Sequence, residues 1–168
     1  MSEIITIVGF SGAGKSVVGA KVAQLLGVPF VDLDLAIEEK YRTSIPILFS
    51  KYGEDVFRKC ERKVLEESLL RERCVISTGG GTPCSSDAMR LINSCSTSVY
   101  LKLSEEILFN NLRKSRRRRP LTDKMEEAQL RQYIHDTLSR RAPFYEMAHH
   151  TICSSDGMFN AGEIAKVL

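Results

Sequence analysis

The sequence predicts an α/β fold with a mostly parallel sheet. Three observations carry that expectation. Short β-branched runs alternate with longer stretches of helical spacing along the whole chain. The first run ends in a glycine-rich phosphate loop that opens a helix. Three glycines break a later run at the carboxyl end of a strand, where ligands gather in such folds. At 168 residues the chain is expected to form one domain, 1–168, long enough to bury a sizeable core.

Residues 4–8, IITIV, stop at Gly9 and read as a buried strand. Residues 15–26 are apolar at helical spacing and end before Gly27. A second strand is expected over 29–34, followed by a helical stretch through Tyr41. Ser44 before Ile45-Pro46 has the pattern of an N-cap with proline in the first turn. The clearest helix is 54–70, with Phe57, Val64, Leu65 and Leu69 spaced for one buried face. Strands are expected at 74–77 and 98–103 and a helix at 127–142. A short fifth strand at 151–153 precedes a C-terminal helix.

Hydrophobic residues make up 43% and charged residues 27%, the balance of an ordinary soluble domain. The net charge of +3 lacks the overall basic excess of a dedicated nucleic-acid binder. The five cysteines, Cys60, Cys74, Cys84, Cys95 and Cys153, are odd in number and form no CxxC pair. That spacing supports neither a disulfide framework nor a zinc site, and it points to a reducing cytosol. The first residues are too short and too acidic for a signal peptide, and no apolar stretch approaches the ~20 residues that span a bilayer. A cytoplasmic protein with no membrane partner is expected.

Gly9 to Ser16, GFSGAGKS, satisfies G-x-x-x-x-G-K-[ST] between a strand and a helix, the context the motif needs. Its glycines let backbone N–H groups turn inward and cradle phosphate oxygens at a helix N-terminus. Nucleotide binding is expected from Gly12, Ala13, Gly14, Lys15, Ser16 and Val17, with Lys15 reaching the β- and γ-phosphates and Ser16 binding Mg²⁺. Such a loop identifies a nucleotide and leaves the acceptor open.

Three stretches bear on the acceptor. In VDLD, Asp32 and Asp34 are two apart, so on a strand both face one way near the phosphate loop. One carboxylate suits the Mg²⁺ shell and the other an acceptor hydroxyl, although either could instead cap the following helix. In GEDVFRKCE, Arg58 and Glu61 are three apart and can pair on one helix face. The pattern alone favours a surface ion pair; an arginine aimed by Glu61 at a substrate carboxylate is the sharper reading. In STGGGTP, Gly79, Gly80 and Gly81 allow close backbone approach to a ligand, or else form a flexible loop. The TPCSS stretch that follows suggests no role.

Together GFSGAGKS, VDLD, GEDVFRKCE, TGGG, RRPL and SRRAPFY resemble the shikimate kinase family, in order and spacing, over nearly the whole chain. The resemblance implies a three-layer fold with a five-stranded parallel sheet, a substrate-binding segment at about 32–62 and a lid at about 112–124. It implies transfer of phosphate from ATP to the 3-hydroxyl of shikimate, with Mg²⁺. On that resemblance Asp34, Arg58, Gly79, Gly80, Gly81 and Arg141 contact shikimate, Glu61 orients Arg58, and Phe49 and Phe57 line the pocket. Asp32 and Ser16 serve the metal, Lys15, Asp34 and Arg119 serve the chemistry, and Arg113 and Arg119 meet ATP. A monomer is expected. Rival readings are a kinase of gluconate or of a nucleoside monophosphate, a non-catalytic nucleotide- or shikimate-sensing module, and a nucleic-acid binder resting on SRRRRPLTD alone. The arginine run lacks interleaved aromatics for stacking on bases, which argues against the last.

Overall fold

A computed structural model describes residues 3–115 and 122–167. The sheet is built from β1 (Glu3–Val8), β2 (Phe30–Asp32), β3 (Arg73–Ser77), β4 (Thr97–Lys102) and β5 (His150–Cys153). Their order is β2-β3-β1-β4-β5, and every pairing is parallel. Ile4, Ile5, Ile7 and Val8 of β1 are all buried, as are Cys74, Val75 and Ile76 of β3. Central strands of a sheet covered on both faces need this continuous apolar character.

The helices are α1 (Lys15–Leu26), α2 (Leu33–Tyr41), α3 (Ile45–Leu69), α4 (Ala88–Cys95), α5 (Glu105–Lys114), α6 (Glu127–Tyr145) and α7 (Ala161–Ala165), with a 3₁₀ turn at Thr82–Cys84. Ser44 caps α3 as expected, accepting from the Ile47 N–H. The helix expected from residue 54 is the second half of α3, which breaks at Gly53 (φ 82°, ψ 172°). Only glycine populates that backbone region readily, so Gly53 divides α3 into two helical halves.

The expected strand over 29–34 is corrected. β2 ends at Asp32 and α2 begins at Leu33. Asp32 accepts a hydrogen bond from the Leu35 N–H at 3.2 Å, and that N-cap turns the chain into helix one residue before Asp34. Asp32 and Asp34 therefore do not share a strand face. α6 also runs three residues further than expected, to Tyr145, carrying Pro143 in its last turn. α4 and α5 went unread in the sequence, although α5 has a Ser104 cap, acidic residues in its first turn and basic ones in its last.

The topology fixes the site. β1 and β3 are neighbours with Ile7 opposite Ser77, so their exit loops begin side by side. Thr78 binds the Ile7 carbonyl through both its N–H and its hydroxyl, each at 3.1 Å, which ties the two exits together.

Candidate active site

At the β1 exit, Gly14 precedes α1 and Lys15 is its first residue, only 7% exposed. The Lys15 ammonium donates to the Gly9 and Phe10 carbonyls, both at 2.8 Å. The cation is thereby held inside the loop that GFSGAGKS predicts. Gly12 is bound from outside, its carbonyl accepting from Asn111 Nδ2 of α5 at 2.9 Å. Val17 is 62% exposed on the first turn of α1.

Beside the lysine, the Ser16 hydroxyl donates to Asp32 Oδ2 at 2.6 Å and lies 3.4 Å from the Ser77 hydroxyl. Asp32 therefore caps α2 with one oxygen, as one of the two sequence readings has it, while its other oxygen faces Ser16. The donors here are all oxygens, which suits a hard divalent cation held partly by nucleotide phosphates.

The glycine loop after β3 joins this phosphate side to an acceptor side. A methyl placed on Gly79 would come within 3.0 Å of Asp34 Oδ1 and of Thr82 Oγ1. One on Gly80 would lie 2.8 Å from Ser11 Oγ of the phosphate loop and 3.2 Å from an Arg141 nitrogen. One on Gly81 would lie 2.6 Å from Arg58 Nη2. The bare backbone is what lets a carboxylate, two guanidinium groups and the phosphate loop converge.

Arg58 and Glu61 form the pair that their spacing allowed, Nη1 to Oε1 at 2.9 Å. It is no surface pair, because Glu61 is 2% exposed. Burial works against the charge on Arg58, yet Glu61, assisted by Glu54, outweighs it and holds the guanidinium pKa above its ordinary value. The second carboxylate oxygen of Glu61 accepts from the Thr82 hydroxyl at 2.7 Å. Phe57 is buried against Phe49, ring centroids 4.5 Å apart, and the Arg58 guanidinium lies 5.2 Å from the Phe57 ring centre. The tilted pair therefore supports Arg58 from below.

Arg58, Gly81, Cys84 and Arg141 line a cleft of about 330 Å³, with Glu54 at its edge. Burial pushes the Cys84 thiol up despite the two arginines, so it presents a neutral group. Glu54 and Asp55 also line this cleft, so its two guanidinium groups stand beside two carboxylates, and Arg58 and Arg141 are the groups an anion would meet there. A larger groove of about 660 Å³ runs along Lys59, Arg62 and Asp87 on the other side of Arg58. Neither the glycine loop nor Arg141 lines it, whereas Gly81 and Arg141 both line the smaller cleft.

The shikimate kinase family model matches residues 11–167. The chain belongs to the shikimate kinase family. It is 40% identical over 146 residues to the shikimate kinase of Phocaeicola vulgatus, covering 87% of this chain and 83% of the relative. The Parabacteroides distasonis shikimate kinase is 41% identical over 147 residues, 88% of this chain and 85% of the relative. Among solved structures, the Bacteroides thetaiotaomicron shikimate kinase superimposes with a TM-score of 0.90 at 36% identity, covering 98% of this chain and 94% of that one. The Acinetobacter baumannii shikimate kinase in complex with shikimate gives 0.86 at 33% identity, covering 99% and 90%.

Within that family frame, the structure brings together Lys15, Ser16, Asp32, Asp34, Arg58, Glu61, Gly79, Gly80, Gly81 and Arg141. Arg113 is exposed on the last turn of α5, its guanidinium 5.9 Å from the Phe109 ring centre. Arg119, and Arg116 to Arg118 with it, lie outside the described residues. Sequence reasoning missed Ser77, Thr82, Asn111 and Tyr145, whose hydroxyl donates to the Gly80 carbonyl at 2.5 Å. The FY of SRRAPFY contained Tyr145, but nothing local marks its partner across the fold.

Proposed function

We infer that this chain phosphorylates shikimate from ATP, yielding shikimate 3-phosphate and ADP, a step of aromatic amino-acid biosynthesis. The observation that carries this reading is the glycine loop, where Asp34, Arg58 and Arg141 converge within reach of Ser11 of the phosphate loop. A hydroxylated carboxylic acid seated on the two arginines would present a hydroxyl to Asp34 and the phosphates together.

The acceptor oxygen attacks the γ-phosphorus, the bond to the β–γ bridging oxygen breaks, and ADP leaves with that electron pair. Asp34 aligns the hydroxyl and takes its proton as the new bond forms. Lys15 and the loop N–H groups of residues 12–17 hold the phosphates, and Arg58 and Arg141 bind the carboxylate while Glu61 fixes Arg58. Mg²⁺ is the proposed metal: Ser16 would ligate it and Asp32 would hold a water of its shell, and when bound it neutralises charge on the β- and γ-oxygens. Arg119 of the lid is proposed to meet the γ-phosphate, with Arg113 near the adenine. The five unpaired thiols fit a reducing, cytoplasmic setting, and a monomer is the proposed state.

The test is ADP release with shikimate, gluconate, AMP and CMP as acceptors. Shikimate alone should support turnover. Preference for gluconate or a nucleotide would reassign the acceptor, and no acceptor-dependent release would leave a binding module.

A further inference from the structure

We propose that Thr82 is a positioning residue for the acceptor: its buried hydroxyl clamps the carboxylate that aims Arg58. The proposal rests on the shikimate kinase reading of the site.

Thr82 opens the 3₁₀ turn after the glycine loop and is 1% exposed. Its N–H donates to the Gly79 carbonyl at 3.2 Å, so the loop itself sets where the hydroxyl stands. From there Oγ1 donates to Glu61 Oε2 at 2.7 Å, while Oε1 of the same carboxylate accepts from Arg58 Nη1 at 2.9 Å. A carboxylate bound at one oxygen can still swing about its terminal torsion, which is soft. Binding both oxygens fixes the carboxylate plane and with it the direction of the arginine fork. The methyl position on Gly79 is 3.0 Å from both Thr82 Oγ1 and Asp34 Oδ1. One loop therefore sets the bearing of Arg58 through Thr82 and Glu61 beside the carboxylate that receives the hydroxyl. A threonine serving only as a satisfied core hydroxyl would affect stability and leave the two substrates alike.

The isosteric Thr82→Val variant removes the donor and little volume. Its shikimate KM should rise about tenfold, the effect of losing a hydrogen bond to a charged group. The ATP KM should stay unchanged, and Thr82→Ser, which restores the hydroxyl, should recover most of the shikimate affinity. In an Arg58→Ala background, Thr82→Val should produce no further loss of kcat/KM for shikimate, since the fork it steers is gone. Wild-type shikimate KM in Thr82→Val, equal rises for both substrates, or a full additional loss beside Arg58→Ala would each overturn the proposal. If Thr82→Val does not fold, failure of Thr82→Ser and Thr82→Ala to differ in shikimate KM overturns it instead. Wild-type enzyme inactive on shikimate would remove the underlying reading, a result distinct from all of these.

Discussion

Arg58 and Arg141 serve one cleft, yet their surroundings make them separable. Arg58 is tied to Glu61, which is 2% exposed, whereas Arg141 reaches Gly80 from α6. Alanine at either position should cost about 2–5 kcal/mol of shikimate binding, roughly thirtyfold or more in KM, with ATP binding little changed. Arg58→Ala should also lower stability by about 1–3 kcal/mol, because it strips a partner from a buried carboxylate. Steady-state kinetics with thermal melts separates the two effects, and equal melting losses for both variants would contradict the assignment. Asp34→Asn should reduce kcat by about 10²–10⁴ with the ATP KM unchanged, as loss of a general base requires. Near-normal turnover would remove Asp34 from the chemistry. The Arg58–Glu61 pairing follows from local spacing, whereas the roles of Asp34 and Arg141 rest on the family resemblance. Thr82, Tyr145 and Asn111 were not legible in the sequence, since their partners lie 21, 65 and 99 residues away in the chain. Only the folded sheet brings those positions together.

At the scale of elements, α3 depends on a break. Gly53 separates the half that carries Phe49 from the half that carries Phe57, Arg58 and Glu61, and the two rings meet across it. Space is not the obstacle to a side chain there, as nothing lies within 4 Å of the added methyl. Backbone conformation is. Gly53→Ala should therefore cost about 1–3 kcal/mol of stability. It should also raise the shikimate KM as the Phe49–Phe57 pair parts. A thermal melt matching wild type would show that the break tolerates a side chain. The strands were legible from their β-branched runs, and the second half of α3 from its apolar spacing. The β2–α2 boundary was not, because Asp32 reads equally well as strand or cap until its partners Leu35 and Ser16 are in place.

Over the whole molecule, the core contains two tyrosines. Tyr100 and Tyr145 lie with ring centroids 5.2 Å apart, 2% and 0% exposed. Burial raises both phenols, Tyr100 to about 12 from an ordinary 10.0. The folded chain then keeps protons that the unfolded chain releases above pH 10, so the stability is complete below that value and falls as pH climbs toward 12. Melting temperatures measured from pH 9 to 12 should hold steady and then decline from about pH 10, and Tyr100→Phe should flatten the decline. A level profile in the wild-type chain would refute the burial argument. The layered sheet was readable from the alternation of runs, but a hydroxyl folded inward beneath a substrate loop was not, since tyrosine in a helix reads equally as surface.

The glycine loop has a consequence for how this chain can change over generations. Every non-synonymous change in a glycine codon adds side-chain atoms. At 79, 80 and 81 the first added carbon already meets Asp34 and Thr82, Ser11, and Arg58 in turn. A side chain at any of the three therefore has to displace a group of the proposed acceptor or phosphate site. Random mutagenesis under selection for aromatic prototrophy should return these positions mostly as glycine, while the exposed Arg90 varies.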